Sequence, residues 1–132
     1  MDSTTKQQIE ELAKKSNLGM LTFPESIDAL IKLEVEAYYA DYRKKEITYY
    51  TSQNKACTSA MPEMEVEIPL TFNPTELQAA IRAAQHDEIR YPEFKKRSMA
   101  AGCVGYFVWI AGKQVNYFGR LGEIHIEKFP SK

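Results

Sequence analysis

The chain has 132 residues, of which 44% are hydrophobic and 27% are charged, and its formal net charge is -1 at pH 7. This size suits one folded domain, and the composition favours neither the disordered nor the fibrous class. A nearly neutral charge gives no general attraction for nucleic acid or for an anionic membrane surface, so neither is expected as a partner. We predict a single α+β domain over residues 1–132.

Two helices are predicted at the start of the chain. Ser3 or Thr4 is placed to cap the first, which carries apolar residues at Ile9 and Leu12. Pro24 suits the first turn of the second helix. Both helices are amphipathic, so each requires an apolar surface to cover.

Over residues 36–51 the side chains alternate in character with a period of two residues, which predicts a β-hairpin. We expect residues 44–45 to form its two-residue tip. This register fixes which side chains share the face toward the core. The predicted pairs on that face are Tyr42 with Ile47 and Ala40 with Tyr49.

The next segment is predicted to be a loop followed by a strand. Residues 52–62 are polar and lack periodicity, which is typical of a loop. Val66, Ile68 and Leu70 then alternate with polar residues, which predicts a half-buried strand. Pro69 places that strand at an edge of the sheet or at its own end.

Two more helices follow. Asn73, Pro74 and Glu76 supply a cap, a first-turn proline and an acidic third position, a strong start signal. Pro92 opens a shorter helix, and Gly102 is placed to end it in a left-handed conformation. No internal repeat, low-complexity tract or linker is evident along the chain.

Residues 102–130 predict three strands joined by two glycine turns. A tip at residues 111–112 pairs the first two strands, and a turn over residues 119–122 pairs the last two. The first set of predicted pairs is Gly105 with Phe118, Tyr106 with Tyr117 and Val108 with Val115. The second set is Gln114 with Glu127, Val115 with Ile126, Asn116 with His125 and Tyr117 with Ile124.

The order of elements is two helices, two or three strands, two helices and three strands. This order indicates an α+β fold, with a largely antiparallel sheet of about five to six strands packed against about four helices.

Three segments resemble a known family: LTFPESIDAL, VEAYYADYRKKEITYY and FKKRSMAAGCVGYFVWIAGKQVNYFGRLGEIHIEKFP. Together they resemble the small, prophage-associated YdfO/YbcV-like family of unknown function, over nearly the whole chain. The resemblance implies the same fold class and a phage or prophage origin. It assigns no catalytic residue to any position.

The predicted register gathers a candidate binding surface on the second face of the last three strands. Its members mix aromatic, amide, carboxylate and imidazole groups, as ligand and protein-binding surfaces often do. The candidate residues are Trp109, Asn116, Glu123, His125 and Glu127.

Within that surface, Glu123, His125 and Glu127 alternate on one side of a strand, which is compatible with a metal ligand set or a general base. Residues two apart on a strand lie about 6.5 to 7 Å apart, too far for tight joint coordination without further ligands. A hydrogen-bonded, pH-sensitive histidine is therefore favoured over a metal site. No metal and no cofactor are predicted.

The remaining reactive residues favour structural roles. His86 lies near the end of the third predicted helix, where a cation suits the helix dipole. Cys103 is expected to be a buried, inert thiol, and Cys57 is expected in a polar loop. The run Lys95, Lys96 and Arg97 is expected to be a solvated face.

Two functional hypotheses remain open, and a third, metal-dependent hydrolysis, ranks below both. The first is a non-catalytic accessory protein that binds another macromolecule or itself through the mixed sheet face or an edge strand. The alternative is a small-molecule binder or modest enzyme with a pocket among Trp109, Asn116, His125 and Glu127. The common nucleotide-binding, hydrolase and metalloprotease motifs are missing from the sequence. The residues before the first helix lack an apolar signal core, and no apolar run reaches roughly 20 residues, so we expect a cytoplasmic protein.

Overall fold

Four helices begin close to their predicted start signals. The computed structural model of the protein describes residues 1–130. The helices are α1 (Ser3–Asn17), α2 (Phe23–Lys32), α3 (Pro74–Gln85) and α4 (Tyr91–Ala100). The cap of α1 differs from the prediction: the carboxylate of Asp2, rather than Ser3 or Thr4, accepts a hydrogen bond from the backbone N–H of Thr5 at 2.7 Å.

The predicted cap of α3 and the predicted end of α4 are confirmed, and α2 has a cap in addition to the predicted Pro24. Thr22 and Glu25 form a reciprocal capping box at the start of α2. The side chain of Asn73 accepts a hydrogen bond from the N–H of Glu76 at 3.1 Å and caps α3. Gly102 follows α4 with φ of 92°, the left-handed conformation expected of it.

Six strands form one antiparallel sheet in the order β3-β2-β1-β4-β5-β6. They are β1 (Val35–Asp41), β2 (Glu46–Thr51), β3 (Ala56–Ala60), β4 (Cys103–Trp109), β5 (Gln114–Gly119) and β6 (Ile124–Lys128). The buried side chains of the helices and of one sheet face form a single core. The α+β prediction is therefore confirmed, and we call the opposite, uncovered side the open face.

The predicted strand around Val66 to Leu70 is wrong, and a strand forms instead within the predicted loop. β3 consists of small residues with no apolar alternation, yet it pairs with β2 along its length. Because β3 takes that edge of β2, the following segment has no free edge there to join. It runs irregularly to α3, and the guanidinium of Arg120 donates two hydrogen bonds to the carbonyl of Ile68.

The first hairpin has the predicted faces but a different register. Its loop contains the four residues 42–45, since Asp41 pairs with Glu46. The Asp41 carboxylate accepts hydrogen bonds from the N–H groups of Arg43 and Lys44, which stabilises the longer turn. The predicted pairs of Tyr42 with Ile47 and Ala40 with Tyr49 are corrected to Ala40 with Ile47 and Tyr38 with Tyr49.

The register of β4 against β5 is confirmed, whereas that of β5 against β6 is shifted by one residue. Tyr117 pairs with His125 rather than with Ile124. The turn is a three-residue loop that ends at Gly122, whose φ of 85° closes it, so one more residue lies in the turn than predicted. A shift of one reverses every side chain of a strand. Ile124 and Ile126 therefore lie on the open face, and His125 and Glu127 lie on the helix side.

The prediction that the chain contains no repeat is wrong. Sixty-eight positions separate Val35 from Cys103, the first residues of β1 and β4. The same separation relates β2 to β5, β3 to β6 and α2 to α4. The residues with positive φ fall into the same pairs, which are Gly19 with Asp87, Glu34 with Gly102, Lys45 with Lys113 and Asn54 with Gly122. The two halves therefore repeat one α-α-β-β-β unit.

An approximate two-fold axis relates the halves and passes between β1 and β4. At its centre Tyr39 pairs with Phe107, which are equivalent residues in the two units. Few equivalent positions carry the same residue, so the repeat is hard to see in the sequence. Identical residues at equivalent positions include Pro24 and Pro92, Glu25 and Glu93, Tyr38 and Tyr106, Lys45 and Lys113, and Tyr49 and Tyr117.

Candidate functional site

The predicted binding surface is divided between the two sides of the sheet. Trp109 and Asn116 lie on the open face, where the indole Nε1–H donates to the Asn116 side-chain oxygen at 2.8 Å. His125 and Glu127 lie on the helix side because of the shifted register. Glu123 precedes β6, and its carboxylate accepts a hydrogen bond from the N–H of Leu121 at 2.9 Å. The five residues do not form one site.

His125 and Glu127 share one side of β6, as predicted. His125 Nε2 lies 3.3 Å from Glu127 Oε2, and the other carboxylate oxygen is 2.6 Å from the Arg82 guanidinium. Across residues 1–130, no cluster of three or more histidine, cysteine, aspartate or glutamate side chains is placed to hold a metal ion. The arrangement is an ion pair between α3 and β6 with a histidine beside it.

A cavity of about 110 Å³ lies between the helices and the sheet and reaches the surface near the end of β6. Its walls are mostly apolar. The apolar lining includes Leu21, Phe23, Leu30, Ile47, Ile81, Ile89, Phe94, Val108, Val115 and Phe129. Its polar and charged residues include Ser16, Ser26, Gln85, Arg90, Glu127 and Lys128. Of the predicted surface, only Glu127 lines this cavity.

Four tyrosines on four adjacent strands form the floor of the cavity. Tyr38 pairs directly with Tyr49, and Tyr106 pairs directly with Tyr117. The ring centroids are 5.5 Å apart in the first pair and 5.6 Å apart in the second. The two pairs are equivalent under the 68-residue repeat. Their rings supply an apolar surface, and their hydroxyls supply hydrogen-bonding groups.

These hydroxyls differ in whether the protein satisfies them. The Tyr106 hydroxyl donates to the hydroxyl of Tyr91 at 2.9 Å. For Tyr38, Tyr49 and Tyr117, no hydrogen-bond partner of the hydroxyl is found among residues 1–130, although the residues are only 7%, 4% and 6% exposed. The three oxygens are not fully enclosed, since the buried side-chain atoms without a partner in that range are those of Asn17 and Gln78.

Burial keeps these phenols protonated. Removal from water raises the pKa of Tyr38 and of Tyr117 well above the usual value of 10.0, and it raises the pKa of Tyr49 as well. At neutral pH each side chain is therefore an uncharged group that can donate and accept a hydrogen bond.

Two of the three charged residues that line the cavity are already paired. The Arg90 guanidinium lies 2.5 Å from the Asp87 carboxylate and donates to the carbonyl of Gly19 at 3.2 Å. Glu127 is held by Arg82. Lys128 is exposed at the mouth. The interior of the cavity therefore holds no unpaired charge from the residues that line it.

The repeat explains why the cavity exists. Ser26 on α2 occupies the position that Phe94 occupies on α4, and both residues line the cavity. Likewise Phe23 is the equivalent of Tyr91. The first half thus presents a hydroxymethyl group where the second half presents a ring, which leaves space beside Tyr38.

Other predicted roles are partly confirmed. Cys103 is fully buried, and its burial raises the pKa of the thiol to about 11, which suits an inert residue. Cys57 lies buried in β3 rather than in an exposed loop. His86 is the C-cap residue of α3, as its position predicts. Lys95 is buried rather than solvated, with its amine 5.6 Å from the ring centre of Tyr91.

The fold and the cavity define a two-layer α+β domain built from two α-α-β-β-β units, with an apolar, tyrosine-floored space at their junction. Residues 4–128 match the family described as a protein of unknown function, DUF1398, and the chain belongs to that family. No curated protein matches the chain. No helix within residues 1–130 has the length and apolar character needed to cross a membrane.

Proposed function

We propose that this protein binds a small molecule in the cavity between its helices and its sheet. The observation that carries the proposal is the apolar, water-accessible space floored by three phenol hydroxyls that have no hydrogen-bond partner among residues 1–130. A few polar groups in a mostly apolar concavity are typical of ligand sites. The site differs from the predicted one, since it includes Glu127 but none of the other four predicted residues, which are Trp109, Asn116, Glu123 and His125.

The size of the cavity suits a small ligand. An engineered apolar cavity of about 150 Å³ in another protein binds benzene, so 110 Å³ accepts about one small ring or a short chain. A longer ligand extends through the mouth past Gln85 and Lys128.

A substitution at Ser26 tests the proposal, because the fold already accepts a larger side chain at the equivalent position in α4. The Ser26→Phe variant places in α2 the side chain that α4 already carries at Phe94, and it fills the cavity. Ser26→Ala keeps the space and serves as the matched control. The three proteins are purified identically and denatured, and the released small molecules are identified by mass spectrometry.

The expected result is a compound that co-purifies with the wild type and with Ser26→Ala but is lost from Ser26→Phe. Near-ultraviolet circular dichroism confirms that each variant is folded. Equal amounts from Ser26→Phe, or no compound from any of the three proteins, contradict the proposal.

A second candidate function is an accessory role through the open face. Trp109, Ile124 and Ile126 are 42%, 57% and 55% exposed there, and β6 is an edge strand with an unpaired side. Contiguous exposed apolar side chains are typical of interaction surfaces. The resemblance to the YdfO/YbcV-like family is the support for a prophage setting of such a role, and that setting stays a prediction.

Sedimentation velocity tests whether the open face mediates self-association. The wild type is compared with the double variant Ile124→Lys and Ile126→Lys from micromolar to near-millimolar concentration. We expect the wild type to associate as concentration rises and the variant to remain monomeric. A wild type that stays monomeric throughout contradicts self-association by this face.

A further inference from the structure

We infer that the ligand of the cavity is an uncharged molecule carrying a carbonyl or hydroxyl oxygen, and that the hydroxyl of Tyr38 binds this oxygen. The inference rests on the proposed function and names the chemical class that the site would take. Tyr49 and Tyr117 supply further hydroxyls to the same space.

The comparison between the two halves identifies Tyr38 as the group that lacks its partner. In the second half, Tyr106 bonds to Tyr91 at 2.9 Å. In the first half, the equivalent of Tyr106 is Tyr38 and the equivalent of Tyr91 is Phe23, which has no hydroxyl. The repeated unit therefore gives the hydroxyl of Tyr106 a hydrogen-bond partner, whereas the hydroxyl of Tyr38 has none among residues 1–130. Tyr38 and Phe23 both line the cavity.

An unsatisfied hydroxyl in an apolar space requires an oxygen or nitrogen atom from outside the protein. In a free site that is open to solvent, a water molecule would make this hydrogen bond. A ligand that offers only hydrocarbon removes that water without replacing its hydrogen bond, which reduces affinity. A ligand oxygen placed against Tyr38 replaces the bond and fills the apolar space at the same time.

The ligand is uncharged because no lining residue presents an unpaired charge to the interior of the cavity. Of the three charged lining residues, Arg90 and Glu127 are paired with Asp87 and Arg82. The third, Lys128, is exposed to solvent at the mouth. The tyrosines stay protonated at neutral pH, so they add no charge. An ionised group transferred from water into such a space without a partner is strongly disfavoured.

Cyclohexanone and toluene test the chemical class, since each has seven heavy atoms but only cyclohexanone has an oxygen. Dissociation constants of both probes are measured by protein-observed NMR titration for the wild type and for Tyr38→Phe. Tyr50→Phe, which removes an equivalent hydroxyl from the open face, is the matched control.

We expect Tyr38→Phe to weaken cyclohexanone binding about fivefold, as the loss of one hydrogen bond implies, and to leave toluene binding unchanged or tighter. Tyr50→Phe changes neither. Phe23→Tyr supplies the internal partner that the second half has, so it also weakens cyclohexanone binding relative to toluene. This variant tests the inference even if Tyr38→Phe folds poorly.

The outcomes separate the two proposals. If both probes bind the wild type and neither variant discriminates between them, the chemical class is overturned while the small-molecule site stands. Equal weakening of both probes by Tyr38→Phe indicates a merely structural role and also overturns the class. If neither probe binds the wild type at millimolar concentration, both the class and the cavity proposal fail.

Discussion

Tyr38 and Tyr106 occupy equivalent positions in the two halves, and their ring centroids lie 6.5 Å apart across the seam between β1 and β4. The two residues share strand position, burial and orientation toward the helices. They differ in the residue that α2 or α4 presents to them, Phe23 in one case and Tyr91 in the other. The difference between Tyr91 and Phe23 thus leaves the hydroxyl of Tyr38 available, whereas that of Tyr106 is used in an internal hydrogen bond.

Replacing each of these two helix residues by its equivalent should shift the free energy of unfolding in opposite directions. Phe23→Tyr gives Tyr38 a hydroxyl partner and is expected to raise the free energy of unfolding by about 1 kcal/mol. Tyr91→Phe leaves Tyr106 without its partner and is expected to lower it by about 1 to 3 kcal/mol. Urea denaturation measures both. Destabilisation by Phe23→Tyr would show that no room exists beside Tyr38 for a hydroxyl.

A buried hydrogen bond between a tyrosine and a serine gives a sharper energetic test. The hydroxyls of Tyr42 and Ser98 lie 2.7 Å apart, and Ser98 is fully buried. Ser98→Ala leaves the phenol unpaired and should cost about 1 to 3 kcal/mol of stability. In a double-mutant cycle with Tyr42→Phe, the second substitution should cost less once the first is made. Strict additivity would contradict a shared hydrogen bond.

The sequence was sufficient to predict the elements whose signals are local. A first-turn proline identifies each of α2, α3 and α4. Asn73 also caps α3, and Gly102 ends α4 in the predicted conformation. Alternation of apolar residues identifies β1, β2, β4 and β5. It fails for β3, whose small residues are held by pairing with β2 rather than by their own propensity.

The candidate site was not predictable because it depends on a register. The extra residue in the turn before β6 moved His125 and Glu127 away from Trp109 and Asn116. The cavity depends on how two units pack together, which no local pattern encodes. A usable signal was present nonetheless: Tyr38 and Tyr49 recur at the same spacing as Tyr106 and Tyr117. The repeat is hidden because most equivalent side chains differ.

The repeat also predicts how two equivalent turn positions respond to substitution. Gly102 has φ of 92°, and an added Cβ would lie 2.3 Å from the carbonyl oxygen of Thr71, so Gly102→Ala should destabilise by more than about 2 kcal/mol. Glu34, its equivalent, has φ of 63° and is not glycine. Glu34→Gly relieves the left-handed strain and is expected to be neutral or stabilising by up to about 1 kcal/mol. Thermal unfolding measures both, and equal destabilisation would contradict this account.

The register of β6 makes its own prediction about two isoleucines. Ile124 and Ile126 are more than half exposed on the open face, so their replacement by threonine should change stability by at most about 0.5 kcal/mol. Val115, buried on the helix side of β5, provides the comparison, and Val115→Thr should cost at least about 1 kcal/mol. Chemical denaturation distinguishes the registers: a large loss from Ile126→Thr would support the alternative in which this residue faces the core.

The buried tyrosines predict that the protein unfolds in alkali. Burial raises the pKa of Tyr38, Tyr42, Tyr106 and Tyr117 above the unfolded value of 10.0, and it raises the pKa of Cys103 from 9.0 to about 11. A group whose folded pKa is raised contributes stability below its unfolded pKa and loses it as pH rises toward the folded value.

Lys95 acts in the opposite direction, because burial lowers its pKa and its penalty disappears as the amine loses its proton. The tyrosines outnumber this single lysine, so the free energy of unfolding should fall from about pH 9 upward. Urea denaturation between pH 7 and 11 measures this loss. Absorbance at 295 nm should show most tyrosines ionising together with loss of the circular dichroism signal. Ionisation near pH 10 with the fold intact would contradict the burial of these phenols, on which the predicted loss of stability rests.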